Sequence, residues 1–248
     1  MWQEKQLIYK YFQSQNGMEI SDGIEIIGTS LFIKKEKILL INDIHIGYEG
    51  VLHHKGILVP RYQLKEIIKI LADIINQVHP EKIIINGDLK HEFGRVLKEE
   101  WKEVLQFLDF CLKRVQEVVI IQGNHDPIIK PIAEKRNVQV LREYVFEDTI
   151  ITHGDELVET KANRVIIGHE HPAITIREGS KWEKYKCFLK GKWNRKELIV
   201  VPSFNPLLEG TDILKEKVLS PFLNNITKYE VFVVNKGEVF YFGKVENI

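Results

Sequence analysis

The chain has 248 residues, 44% of them hydrophobic and 28% charged, with 35 Lys plus Arg against 35 Asp plus Glu and a formal net charge of zero. That composition excludes a disordered chain, and the length allows one large core or two small ones. Zero net charge excludes a global basic field for nucleic acid or membrane, and no apolar run approaches the roughly 20 residues that a spanning helix needs.

In chain order, residues 1–17 read as an N-terminal appendage, a short amphipathic helix carrying Leu7, Ile8, Tyr11 and Phe12. Glu4, Lys5 and Lys10 among its aromatics argue against a signal peptide, so the expected compartment is the cytoplasm. Cys111 and Cys187 have no metal-type spacing and read as buried free thiols. Residues 18–248 read as a single domain. It opens on edge strands over residues 18–33, with turns at Asp22-Gly23 and Gly28. Apolar runs at 38–41, 83–85 and 118–121 alternate with two helical stripes, over 61–78 and 98–115, giving a βαβαβ unit with a largely parallel sheet. His79-Pro80 stops the first helix, and residues 47–60 read as a loop containing His53 and His54. After Pro131 short strands dominate, at 138–141, 144–152, 165–167, 173–177, 185–189 and 198–201. A hairpin, 229–234 with 238–242, turns at Asn235-Lys236-Gly237. The expected architecture is two sheets packed face to face with helices outside.

Five apolar runs end in polar clusters: Asp43-Ile44-His45, Gly87-Asp88, Gly123-Asn124-His125-Asp126, Thr152-His153-Gly154 and Gly168-His169-Glu170-His171. In open α/β sheets ligands bind beyond such strand ends. Singly, each cluster passes for a solvated turn. Jointly, Asp43, His45, Asp88, Asn124, His153, His169 and His171 supply carboxylate, amide and imidazole donors in a number sufficient for two divalent ions. Two ions about 3.5–4 Å apart clamp a phosphate, make hydroxide near neutral pH and stabilise the leaving oxygen. No Ser or Cys nucleophile is then required, and neither a P-loop nor Gly-x-Ser-x-Gly occurs. The oxygen and nitrogen donor mix favours Mn²⁺, with Fe, Zn, Ni and Mg as alternatives.

In order, these motifs resemble those of the calcineurin-like metallophosphoesterases over residues 43–171. The resemblance implies an α/β fold, a four-layer α/β-β/α sandwich of two mixed sheets flanked by helices, around a dinuclear centre. One ion would take Asp43, His45, Asp88 and His171; the other would take Asp88, Asn124, His153 and His169. Asp88 would bridge them, and His125 would act as the phosphate-contacting general acid. Asp126 reads as a cap for a short helix beginning at Pro127. Three residues after Asp88, where phosphomonoesterase and protein-phosphatase branches carry another Asp, stands His91, a second catalytic candidate. That position resembles the SbcD-like double-strand-break nucleases. Asp-Ile-His-Ile-Gly-Tyr-Glu, Gly-His-Glu-His-Pro and Val-Pro-Ser-Phe-Asn-Pro-Leu are similar to a compact branch. That branch holds SbcD-related archaeal phosphoesterases and DNA-ligase-associated repair endonucleases. Nothing after these motifs resembles the long C-terminal extension of the large nucleases, so ATPase-coupled resection is not the expected activity. The implied activity is hydrolysis of nucleic-acid phosphodiesters, by a DNA endonuclease or exonuclease. Small nucleotides are the alternative substrate, and a scaffold that has lost its metals is opposed by seven intact donor positions.

Between residues 181 and 196 seven basic side chains face one acid, with Trp182, Tyr185 and Trp193 interleaved. Cations among aromatics suit single-strand binding, so Lys186, Lys190 and Lys192 are candidate DNA contacts, with Arg61 as a candidate phosphate contact. The same stretch fits a homodimer contact equally well.

Overall fold

The computed structural model describes residues 17–54, 56, 62–92, 98–178 and 180–248. The expected appendage, apart from Gly17, and Arg61 lie outside the described residues.

The first sheet holds β1 (Met18–Ser21), β2 (Ile24–Ile27), β3 (Ser30–Ile33), β4 (Ile38–Asn42), β5 (Lys82–Asn86), β6 (Glu117–Ile121) and β7 (Gln139–Leu141), side by side in chain order. Pairs up to β3–β4 are antiparallel; those from β4 to β7 are parallel. Parallel pairs need long crossovers, and the amphipathic stretches supply them. Between β4 and β5 lie α1 (Tyr48–His54) and α2 (Gln63–Val78); α3 (Lys98–Leu112) and α4 (Lys130–Glu134) follow β5 and β6. On α2, Ile67, Leu71, Ile74 and Ile75 are buried against the sheet, each burial worth about 1.5–3 kcal/mol. His79, in the left-handed region at φ 48°, ends α2 by donating its N–H to Ile75 O, directly before Pro80.

The second sheet contains β8 (Glu143–Phe146), β9 (Thr149–Thr152), β10 (Arg164–Ile167), β11 (Pro172–Glu178), β12 (Lys181–Trp193), β13 (Lys196–Val200), β14 (Thr211–Asp212), β15 (Glu230–Asn235) and β16 (Glu238–Lys244). Its order is β14-β11-β12-β13-β10-β9-β8, with β15 paired to β12 and β16 to β15. Strands β9, β10 and β13 run parallel. Side chains alternate across both sheets. Leu39 and Ile41 of β4 face the helices, whereas Ile38 and Leu40 meet Ile151, Ile166, Phe188 and Ile199 between the sheets.

The outer face of the second sheet departs from the expected helical fourth layer. Its Ile150, Val165, Ile167 and Val200 are covered by Ala162, Ile213, Phe222 and Leu223, from connecting segments that contain no helix among the described residues. Pro202, Pro206, Gly210 and Pro221 interrupt one of those segments, and the other is short and polar. Three boundaries also differ. The stretch 144–152 is two strands, split at Glu147, which turns at φ 45°. The expected loop 47–60 contains α1, and the expected strand 185–189 is part of the long β12. Both cysteines are buried free thiols, and no helix of the described residues is long and apolar enough to cross a membrane.

Candidate metal centre

The five motif ends sit at the carboxyl ends of β4, β5, β6, β9 and β10, where the two sheets are tied together. Asn86 Nδ2 donates to Thr152 O at 2.9 Å, and Ser203 Oγ donates to Asp43 O at 2.7 Å. Beyond the strands the ladder continues, with His45 N on Asp88 O and Gly87 N on Ile121 O, both 2.8 Å. The chain then turns sharply: Asp43, His45, Asp88, His169 and His171 all have positive φ, between 45° and 62°. Residues with a Cβ seldom adopt that region, and such strain gathers at functional sites. Two glycines make room for it. A Cβ on Gly87 (φ 75°) would lie 1.9 Å from His153 Nδ1, and one on Gly123 would lie 2.3 Å from Asp88 Oδ1.

These turns bring the seven candidate donors together. Asp43, His45 and His171 offer donor atoms within 4.8 Å of one another, and so do Asp88, His153 and His169. His171 Nε2 is 3.3 Å from Asp43 Oδ1, and His45 Nε2 is 3.6 Å from Asp88 Oδ2. His153 stands between the carboxylates, 3.6 Å from Asp43 Oδ1 and 3.5 Å from Asp88 Oδ2, with Asn124 Oδ1 at 3.0 Å from its Nε2. Asp43 Oδ1, His45 Nε2, His153 Nδ1 and His171 Nε2 are buried without a hydrogen-bond partner. Four converging orphan atoms are costly in a protein interior, and a divalent cation is the partner that suits them all.

The charges are strongly interdependent. Burial alone would raise the two carboxyls, but His171 holds Asp43, and His153 holds Asp88, below the usual carboxylate range. Burial, with His171 nearby, pushes His45 down to about 3. His153 goes the other way, up to about 9, because Asp88 and Asp43 outweigh its burial.

His125 lies at the rim. Its backbone N donates to Asp88 Oδ1 at 2.8 Å, and its Nδ1 is 2.8 Å from His91 O. The His91 ring stacks on that of His125 at 5.7 Å, while His91 Nδ1 is 3.3 Å from His45 Nδ1.

Buried carboxylates that the sequence reading missed hold the surrounding loops. Asp126 does not cap a helix at Pro127; α4 begins at Lys130, and Asp126 instead accepts Leu89 N at 3.0 Å and Lys90 N at 3.2 Å. A turn closed by Asp126 N on Gly123 O aims the side chain inward, and burial together with Asp88 pushes its pKa up to about 7. Glu100 accepts His91 N and Glu92 N at 3.0 and 2.9 Å. Glu49 accepts Tyr62 N and Gln63 N at 2.7 and 2.6 Å, and Gln63 Nε2 donates to His45 O at 2.7 Å. Glu170 accepts Leu219 N and Ser220 N at 2.7 and 2.9 Å. Glu49 and Glu170 stand inside recognisable motifs, yet no spacing distinguishes an inward carboxylate from a solvated one.

The candidate lysines are not brought together at this centre. The Lys186 amine turns inward and donates to Ser203 O (2.7 Å) and Asn205 O; burial pushes it down to about 7. Strand β12 then descends antiparallel to β13, placing Lys190 opposite Ile199 and Lys192 opposite Glu197. Those positions are level with Ile166 and Arg164 of β10, so the strand is heading for the end away from His169. Lys190 is 3.6 Å from Glu197.

A family model described as calcineurin-like phosphoesterase matches residues 36–234. No curated protein matches the chain. Among solved structures, the nuclease MPE of Pseudomonas putida has the same fold, with a TM-score of 0.65 and 19% identity, over 92% of this chain and all of that one. YfcE, a phosphoesterase from E. coli, aligns at a TM-score of 0.38 and 15% identity, over 78% of this chain and 86% of its own.

Proposed function

This chain belongs to the calcineurin-like phosphoesterase family, and from that premise we propose that it hydrolyses phosphodiester bonds of nucleic acid, DNA first, at a dinuclear centre. The observation that carries the reading is the pair of donor groups, Asp43-His45-His171 and Asp88-His153-His169, with His125 anchored beside them on Asp88. In this proposal Asp43, His45, Asp88 and His171 hold one ion, and Asp88, Asn124, His153 and His169 hold the other, with Mn²⁺ the favoured metal. Two divalent ions so held supply Lewis-acid charge to a phosphate and acidify water near neutral pH.

The chain's own groups do the remainder. His125 donates Nδ1–H to His91 O, and as an imidazolium it would pass its Nε2 proton to the leaving oxygen, ending as the neutral ring. His91 fixes two imidazoles at once, His125 through its carbonyl and His45 through its ring. Support for a nucleic-acid diester comes from that histidine, where a carboxylate would favour monoesters. Further support comes from the nuclease MPE fold across most of the chain. Both features favour the compact, repair-related branch in this reading.

The test is Mn²⁺-dependent cleavage of a labelled single-stranded DNA and of its duplex, beside a chromogenic phosphodiester and monoester. We expect DNA cleavage, lost by roughly 10²–10⁴-fold in His125→Ala, with metal binding retained. Turnover of the small diester alone would move the substrate to small nucleotides. An undiminished His125→Ala enzyme would remove the general acid.

A further inference from the structure

The long hairpin of β11 and β12 begins one residue after His171 and points away from the metal centre. Near its tip Trp182 stands opposite Arg177, with 59% of its surface exposed. An exposed indole of that size asks for a partner. Two cations already lie over part of its ring: the Arg177 guanidinium is 5.3 Å, and Lys215 Nζ 4.5 Å, from the centroid.

Lys215 belongs to a segment that connects the hairpin tip back to the metal centre. The Lys184 amine on β12 donates to Gly210 O and to Glu216 Oε1, both 3.1 Å, fastening that segment to the hairpin. A few residues on, Leu219 N and Ser220 N are held by Glu170, which lies between His169 and His171. Ser220 Oγ also donates to Gly154 O at 2.7 Å, next to His153. Between these anchors Leu214 and Leu219 are exposed, 38% and 61%, with Lys215 and Lys217 beside them. Carboxylates stand nearby: Glu216 is paired with Lys184, Glu183 accepts from the Tyr185 hydroxyl, and Asp212 lies 3.7 Å from Lys215, whose own side chain is half-exposed.

We infer that this surface is a platform for a single strand of nucleic acid, with Trp182 as the stacking face. It rests on the nuclease reading and deepens it. Six residues of extended chain separate His171 from Arg177, roughly 20 Å, so the platform engages nucleotides beyond the scissile bond. Unpaired bases offer π-faces to an indole while their phosphates meet the flanking cations. A duplex keeps its base faces inside the stack, which makes the single strand the better fit. The platform also assigns the aromatic and basic character of β12 to its tip half, since Lys186 is turned inward and Lys190 lies further down the strand, opposite Ile199.

The test is binding of a labelled oligothymidylate to the full chain in chelator, where cleavage does not intrude. Trp182→Ala should weaken binding by about tenfold, a typical loss for one stacked base. Trp182→Tyr should restore most of it, and Lys215→Gln should flatten the salt dependence. Wild-type affinity in Trp182→Ala, or tighter binding of the blunt duplex, overturns the platform. If wild type cleaves DNA while Trp182→Ala binds normally, the platform falls and the nuclease reading stands. Wild type that neither binds nor cleaves DNA removes the nuclease reading, and the platform with it.

Discussion

At Gly87 the backbone is left-handed and the His153 ring occupies the space a Cβ would need. Gly87→Ala combines conformational strain with a clash that only movement of His153 can relieve. We expect it to lower the thermal midpoint and to weaken Mn²⁺ binding at least about tenfold, as misplaced ligands do; calorimetric titration of folded variant checks this. Unchanged affinity would mean that the ring yields without consequence. Lys186 makes a different residue-level argument, through protons. Its pKa falls from 10.5 to about 7 on folding, because burial disfavours the ammonium. Between those values the unfolded chain binds more protons than the folded one, so this lysine's contribution to stability rises with pH across that window. Below about 7 both states are protonated and the cost of the buried charge is constant. Urea unfolding at stepped pH should therefore show a rising stability difference that Lys186→Met removes; an identical slope in the variant would point to another group.

Among the elements, the loops that carry the donors share one device: an inward carboxylate accepting two successive backbone N–H groups. Asp126 does this for the turn after Asp88, Glu100 for His91 and Glu92, and Glu49 for the start of α2. Each buried N–H left unpaired costs about 1–3 kcal/mol. Asp126→Ala strands two, so unfolding free energy should drop by that amount per group, and metal affinity by about 10–100-fold as Asp88 loosens. Asp126→Asn, with one good acceptor, should fall between. Equal stability of Ala and wild type in denaturant melts would show that water replaces the carboxylate. This device also marks where sequence reading stops. Strands β4 to β6 and helices α2 and α3 were legible because β-branched runs and a helical stripe are burial written in one dimension. The candidate donors stand out in sequence because polar clusters follow the strand ends, and the fold brings those ends together. Asp126 was misread because a carboxylate before proline looks like a helix cap until its partners across the fold are known. Helix α1 was missed because it is short, and the irregular fourth layer because prolines and glycine state only what a segment is not. The lysines of β12 read as one patch because composition carries no direction, whereas strand polarity decides which end of the sheet each reaches.

For the whole molecule the donors divide between the sheets. Asp43, His45, Asp88 and Asn124 follow strands of the first, and His153, His169 and His171 follow strands of the second. Ions held as proposed therefore link the two layers as well as serve catalysis, and they should stabilise folding as any native-state ligand does, by about 2.7 kcal/mol at a hundredfold excess over Kd. Mn²⁺ should raise the thermal midpoint and chelator should lower it. Loading must also move a proton. In the free protein His153 is protonated near neutral pH, since its carboxylate neighbours lift it to about 9, whereas a metal-bound imidazole is neutral. His45, pushed down to about 3, is already neutral, and Asp43 and Asp88 are already ionised. Binding near pH 7 should then release roughly one proton from His153, and affinity should climb with pH until about 9 before levelling. Titration calorimetry in buffers of different ionisation enthalpy measures the proton directly. A release that vanishes in His153→Asn places the exchanged proton between the two carboxylates. No release in wild type would mean that the ions bind without displacing the charge now holding Asp43 and Asp88 together, and that His153 is a counter-ion, not a donor.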